Sequence, residues 1–181
     1  RQPKLLLLDE PLAALDKKLR EHAQFELMSI QERTGVTFIV VTHDQEEAMT
    51  LADRIAVMDK GEVKQIGSPT EIYEFPNSRF VAGFIGSVNS FEATVIGREK
   101  PHLRLSVPGL GGEVLARDVL TAVEGQKVTL AVRPEKILLG KERSASANSF
   151  QGQVKDLAYF GKDSLYRVAL PDALVQAHAV N

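Results

Sequence analysis

The chain opens on an uninterrupted apolar run, Leu5–Leu8, that breaks on Asp9-Glu10-Pro11. A run without alternation predicts a strand over Lys4–Leu8 that is buried on both faces, as in a parallel sheet. From Lys17 to Thr34 the spacing changes. Leu19, Ala23, Leu27 and Ile30 recur every three or four residues, which predicts an amphipathic helix ended by Gly35. Val36–Val41 returns to a β-rich apolar run. Strand, helix, strand in this order is a βαβ unit, so the two strands are expected to be parallel and to end on one sheet edge. Asp44, with Glu47 three residues on, predicts a reciprocally capped short helix. Arg54–Met58 and Val63–Ile66 flank Asp59-Lys60-Gly61-Glu62, which reads as a hairpin turn. Ser68-Pro69-Thr70-Glu71 starts another helix that runs to Phe75, and Pro76-Asn77 separates it from one at Ser78–Ile85.

Past Gly86 the style changes. Short apolar stretches at Ser90–Ile96, Leu103–Val107, Glu113–Ala116, Lys127–Arg133, Gly152–Ala158, Ser164–Ala169 and Val175–Val180 alternate with turns such as Pro108-Gly109, Gly161-Lys162 and Pro171-Asp172. Many short strands without long helices predict a small barrel or sandwich. Ser144–Ser149 reads as a flexible loop. The expected division is therefore α/β over residues 1–86 and all-β over residues 87–181.

Composition narrows the class. The chain has 181 residues, 22 Lys and Arg against 24 Asp and Glu, a net charge of −2, and 44% hydrophobic residues. That is ordinary for a globular protein and too balanced for a disordered one. No Cys is present, so a disulfide framework and a Cys-based zinc site are both excluded. No apolar run is long enough to span a bilayer. The first 86 residues hold ten basic and fourteen acidic side chains, the remainder twelve and ten. Neither half carries the footprint of a nucleic-acid binder. The chain starts at Arg1 without Met or a signal-peptide pattern, and it is expected to be an excerpt of something longer.

The candidate chemistry lies where the first strand ends. Asp9 and Glu10 sit at the C-terminal edge of a parallel strand, the edge where open α/β sheets bind ligands. Asp9 is placed to hold Mg²⁺ through oxygen, and Glu10 to orient or deprotonate a water. The second strand ends in Val41-Thr42-His43-Asp44, so His43 is expected on the same edge, able to donate to a γ-phosphate or hold the attacking water. Asp44 is assigned mainly to capping.

These residues resemble a known family. Leu5–Glu10 is similar to the Walker B strand of ATP-binding-cassette (ABC) ATPases, Ala14-Leu15-Asp16 to their D-loop, and His43 to their H-loop histidine. Gln65-Ile66-Gly67-Ser68-Pro69-Thr70-Glu71-Ile72-Tyr73 is typical of bacterial importer ATPases. Ala131-Val132-Arg133-Pro134-Glu135-Lys136-Ile137 is similar to a signature of the regulatory TOBE domain. The resemblance implies the C-terminal part of a RecA-like parallel-sheet ABC ATPase domain, followed by an OB-like TOBE β-barrel that is itself cut short. It implies ATP and Mg²⁺, with Asp9 serving the metal, Glu10 the general base, His43 sensing the γ-phosphate, and Asp16 working across a dimer interface. It also implies a second ATPase subunit, two transmembrane permease subunits, an extracytoplasmic solute-binding protein, and a place at the cytoplasmic face of the inner membrane. Residues 73–92 look most like the putrescine/spermidine importer ATPases, with sugar, iron and sulfate importers as alternatives.

The phosphate cradle is missing from the sequence. Gly140-Lys141 and Gly161-Lys162 are followed by Glu142 and Asp163, and the positions for the first glycine of a P-loop hold Glu135 and Asp156. Gly109–Glu113 lies too far downstream to be the family's signature motif and reads as a turn. The expectation is that this chain does not hydrolyse ATP by itself. A rival reading is a regulatory module that dimerises or binds an effector through the β half, with Arg133 and Glu135 on that surface. Against it, an Arg-Pro-Glu corner commonly fixes a turn.

Overall fold

The computed structural model describes residues 3–118, 122–142, 144, 146 and 148–181. The chain divides into two compact units, Arg1–Gly86 and Ser87–Asn181.

In the first unit, β1 (Leu5–Asp9) and β2 (Thr37–Val41) pair in parallel, with Leu5 opposite Thr37 and Asp9 opposite Val41. Helix α1 (Lys17–Thr34) connects them. Asp16 caps it by accepting from the Leu19 N–H, and Gly35 closes it at φ 63°, a left-handed backbone that glycine adopts at little cost. Helix α2 (Gln45–Leu51) follows. Next come the antiparallel strands β3 (Ile55–Asp59) and β4 (Glu62–Gly67). Lys60 and Gly61 turn between them with φ of 51° and 79°, the positive pair that a tight hairpin demands. Helix α3 (Pro69–Glu74) starts with a full capping box between Ser68 and Glu71, and α4 (Arg79–Phe84) is capped by Ser78. The core of this unit gathers Ile55 and Val57 from the hairpin with Ile72, Val81 and Ile85.

The expectation that β1 is buried on both faces is not met. Leu5 is 51% exposed and Leu7 65%, while Ile39 and Val41 on β2 and Leu19 and Ile30 on the apolar stripe of α1 are exposed as well. A parallel strand is covered only when helices pack on both faces and strands flank it. Among the described residues, the β1–β2 sheet has two strands.

The second unit holds two open sheets where a closed barrel was expected. Strand β5 (Asn89–Glu99) lies between β6 (His102–Val107) and β8 (Lys127–Val132), and β7 (Gly112–Arg117) completes the order β7-β6-β5-β8. Strands β9 (Gln153–Tyr159), β10 (Asp163–Leu170) and β11 (Ala173–Val180) form an antiparallel meander in the order β11-β10-β9. The core combines Val95, Leu103, Leu105, Val107 and Val114 of the larger sheet with Val175 of the smaller one. Ala145 and Ala147, in the stretch expected as a flexible loop, lie outside the described residues. Its Asn148 is anchored: its amide accepts from the Leu115 N–H at 2.8 Å and donates to the Leu115 carbonyl at 2.9 Å, as a neighbouring strand would.

Candidate functional site

The C-terminal edge of the β1–β2 pair collects the acidic and imidazole side chains. The ladder continues one step past β1, where the Glu10 N–H donates to the Val41 carbonyl at 2.8 Å. Glu10 then turns with φ 46°. A left-handed backbone costs a residue with a Cβ about 1–2 kcal/mol, and its occurrence at the end of a parallel strand marks a position where the side chain's direction matters. Glu10 Oε1 lies 2.9 Å from His43 Nδ1, across 33 residues of sequence. Both side chains are open to solvent. The hydrogen bond that His43 donates to the Glu10 carboxylate, followed by the negative charge of Glu10, raises the His43 pKa above its usual 6.5, and Asp44 and Glu47 push the same way. With Nδ1 engaged by the carboxylate, Nε2 is the ring nitrogen left to meet an incoming group.

Asp9, the last residue of β1, is exposed one position away. Among the described residues no group of three or more His, Cys, Asp or Glu side chains converges as a metal cage. A lone rim carboxylate suits Mg²⁺, which commonly takes one or two protein oxygens and completes its shell with phosphate and water. Asp16 is not part of the Glu10–His43 contact; its carboxylate caps α1.

The turn that carries His43 departs from the expected capping pair. Asp44 Oδ1 does accept from the N–H groups of Glu46 and Glu47, at 2.9 and 3.2 Å. The Glu47 carboxylate, however, does not return to the Asp44 N–H. Glu47 is only 2% exposed, and it accepts instead from the Thr42 hydroxyl at 2.7 Å, while the Asp44 N–H donates to Thr42 Oγ1 at 3.0 Å. Sequence reasoning passed over Thr42, although its place beside His43 was a signal. It passed over Arg20 too, whose guanidinium pairs with Asp44 Oδ2 and donates to the Leu15 carbonyl. In the second unit, Arg133 does not present a surface. It is buried, and one of its guanidinium nitrogens donates to the Ser87 carbonyl at 3.2 Å; Glu135 is exposed.

Residues 130–180 match the TOBE domain, and most of the chain aligns with proteins named as putrescine transport or spermidine/putrescine import ATP-binding proteins. It is 50% identical to the putrescine transport ATP-binding protein PotG of Escherichia coli (strain K12) over 171 residues, which is 94% of this chain and 45% of that protein. The spermidine/putrescine import ATP-binding protein PotA of Pseudomonas aeruginosa (strain UCBPP-PA14) is 49% identical over 171 residues, covering 93% of this chain and 47% of the relative. PotA of Chromobacterium violaceum is 45% identical over 183 residues, 99% of this chain and 50% of its own. The chain thus spans about half the length of the curated relatives it matches. A solved structure, cbiO1 from Clostridium perfringens, described as part of the ABC transporter complex cbiONQ, shares 37% identity over 39% of this chain and 28% of its own, with a TM-score of 0.37.

Proposed function

We propose that this chain is part of the ATP-hydrolysing, energy-coupling subunit of an ABC importer for polyamines such as putrescine and spermidine. The observation that carries the reading is the 2.9 Å contact between Glu10 and His43 at the end of a parallel strand pair. The polyamine class follows the relatives, which are named for putrescine or spermidine/putrescine.

In this reading Glu10 is the general base. Its Oε1 is held by His43, which leaves Oε2 to accept a proton from a water attacking the γ-phosphate. In its protonated form His43 holds Glu10 by donating Nδ1–H to the carboxylate and has Nε2–H left to donate to the γ-phosphate. Asp9 would hold Mg²⁺, which would neutralise charge on the phosphate oxygens when bound. The phosphate cradle has no counterpart in this sequence, so the edge acts only beside a P-loop supplied by the rest of such a subunit. The exposed apolar faces of β1 and β2 fit a sheet whose other layers come from that same part. Asp16 caps α1 and would meet a second ATPase subunit. In this reading the subunit works at the cytoplasmic face of the membrane with two permease subunits, and a solute-binding protein delivers the polyamine. No described helix is long and apolar enough to cross a membrane.

The test is polyamine-stimulated ATP hydrolysis by the complete subunit assembled with its permease. Glu10→Gln is expected to retain ATP binding and reduce turnover by about 10²–10⁴-fold, the usual contribution of a positioned base. Native turnover in that variant, or a complete subunit that fails to bind ATP, would overturn the reading.

The second unit supports a regulatory role beside this one. Strand β9 is one of the two outer strands of its sheet, and Val154, Leu157 and Tyr159 along it are exposed. An apolar edge of that kind invites pairing with a second copy. Light scattering after size exclusion tests this; a monomer at high concentration would exclude it.

A further inference from the structure

A chain of polar contacts links the residues on either side of His43 to α1. Arg20, on the first turn of α1, divides its guanidinium between two segments. Nη1 ion-pairs with Asp44 Oδ2, and Nη2 donates to the Leu15 carbonyl at 3.1 Å. Asp44 is fixed in turn, because its other oxygen caps α2 and its N–H is held by Thr42, whose hydroxyl is tied to the buried Glu47. His43 therefore sits between two residues whose positions are both set by hydrogen bonds.

An exposed ion pair between flexible side chains would fix little. This one differs in two respects. The Arg20 and Asp44 side chains are only 32% and 25% exposed. A guanidinium also presents its donors in a rigid planar fork, so holding a carboxylate and a carbonyl together fixes the spacing between the segments that bear them. Those segments are the Ala14–Asp16 turn that leads into α1 and the Thr42–Asp44 turn that carries His43.

We propose that Arg20 is a positioning residue that fastens the Ala14–Asp16 turn to the Thr42–Asp44 turn, so that the placement of His43 against Glu10 depends on the turn preceding α1. Its consequence for ATP hydrolysis rests on the function proposed above; its consequence for His43 does not. A displacement of residues 14–16, such as a neighbouring subunit could impose, is passed through one side chain to the His43 turn.

The test compares Arg20→Met and Arg20→Lys with the native 181-residue chain by NMR of the His43 ring nitrogens, using Glu10→Gln as the reference for a broken pair. Arg20→Met is expected to move the His43 resonances most of the way to that reference. Arg20→Lys, able to reach one of the two partners at a time, is expected to fall between. Native His43 resonances in a folded Arg20→Met chain would make Arg20 a simple staple between helices and overturn the proposal. Should Arg20→Met fail to fold, Asp44→Asn keeps the capping oxygen, removes the ionic partner, and is read by the same criterion. In the complete subunit, Arg20→Met is expected to lower kcat about tenfold with KM for ATP within about twofold, the pattern of a lost transition-state arrangement. Unchanged kcat overturns the coupling to hydrolysis. A native subunit without ATPase activity overturns the functional reading instead, and the NMR comparison still decides the role of Arg20.

Discussion

Glu10 and His43 meet at 2.9 Å through Oε1 and Nδ1, at the edge to which the parallel pairing of β1 and β2 carries both residues. The register that sets Asp9 opposite Val41 delivers both residues to one edge, and the left-handed turn at Glu10 follows directly. The contact has a definite acid–base consequence. The hydrogen bond and the charge of Glu10 raise the His43 pKa. The folded value then exceeds the unfolded one. The pairing therefore stabilises the fold fully below pH 6.5, and its contribution fades as pH rises through the raised folded value. In Glu10→Gln the His43 midpoint is expected to return toward 6.5. NMR titration of the imidazole checks it, and an unmoved midpoint would show that the pair does not persist in solution.

The Ser68–Glu71 box gives the opposite sign. Glu71 accepts from the Ser68 N–H at 2.8 Å and from its hydroxyl at 3.1 Å, and these bonds lower its pKa below 4.5. A depressed carboxylate contributes stability above its unfolded value and loses it as pH falls through the folded one. Ser68→Ala is expected to cost about 1 kcal/mol and to raise the Glu71 midpoint. Denaturant unfolding at neutral pH and a carboxylate titration measure the two effects separately.

Ile72 is fully buried beneath the β3–β4 hairpin, against Ile55, Val57, Val81 and Ile85. Ile72→Ala removes apolar contacts and leaves a cavity, so a loss of about 2–5 kcal/mol is expected. Ile72→Val should lose about 0.5–1.5 kcal/mol. Chemical denaturation followed by a probe in the first unit reads both, and equal losses would mean the site collapses around the smaller residues.

What the sequence revealed, and what it hid, divides by range. The β1 and β2 runs, the Ser68 cap and the Asp59–Glu62 turn are written in neighbouring residues, and each could be read locally, whereas the capping of α1 by Asp16 was not read from the sequence. The Glu10–His43 edge was legible for a different reason: two strand ends joined by one helix have a single sensible arrangement. The burial of β1 was misread because an apolar run says what a strand prefers, not whether covering layers are present. Closure was hidden in the same way: many short strands suit a barrel or a sandwich alike, and the described strands of the second unit form two open sheets. The Thr42–Glu47 bond and the Arg20 fork were hidden because side-chain partners compete. Glu47 had two backbone or hydroxyl donors within reach of a capping position, and only packing decides between them.

Asn89 left no sequence signal at all, yet it joins the two sheets of the second unit. It is buried at the start of β5, where Nδ2 donates to the carbonyls of Val132 and Gln176 at 3.3 and 2.8 Å, and Oδ1 accepts from the Gln176 N–H at 2.8 Å. Gln176 lies on β11 of the other sheet, so one amide side chain sets the spacing between them. Asn89→Ala strands these buried groups and is expected to cost about 2–3 kcal/mol, with faster hydrogen exchange at the Gln176 amide. Asn89→Asp keeps the acceptor but turns a carboxylate oxygen toward two carbonyls. That repulsion raises the introduced carboxyl's folded pKa above its unfolded value. The variant should therefore be weakest at neutral pH and recover part of the loss as acid protonates the group, which can then donate. Unfolding measured at pH 4 and pH 7 checks the sign. An Asn89→Asp chain equally stable at both, or an unchanged Gln176 exchange rate in Asn89→Ala, would mean that the amide merely fills space between the sheets.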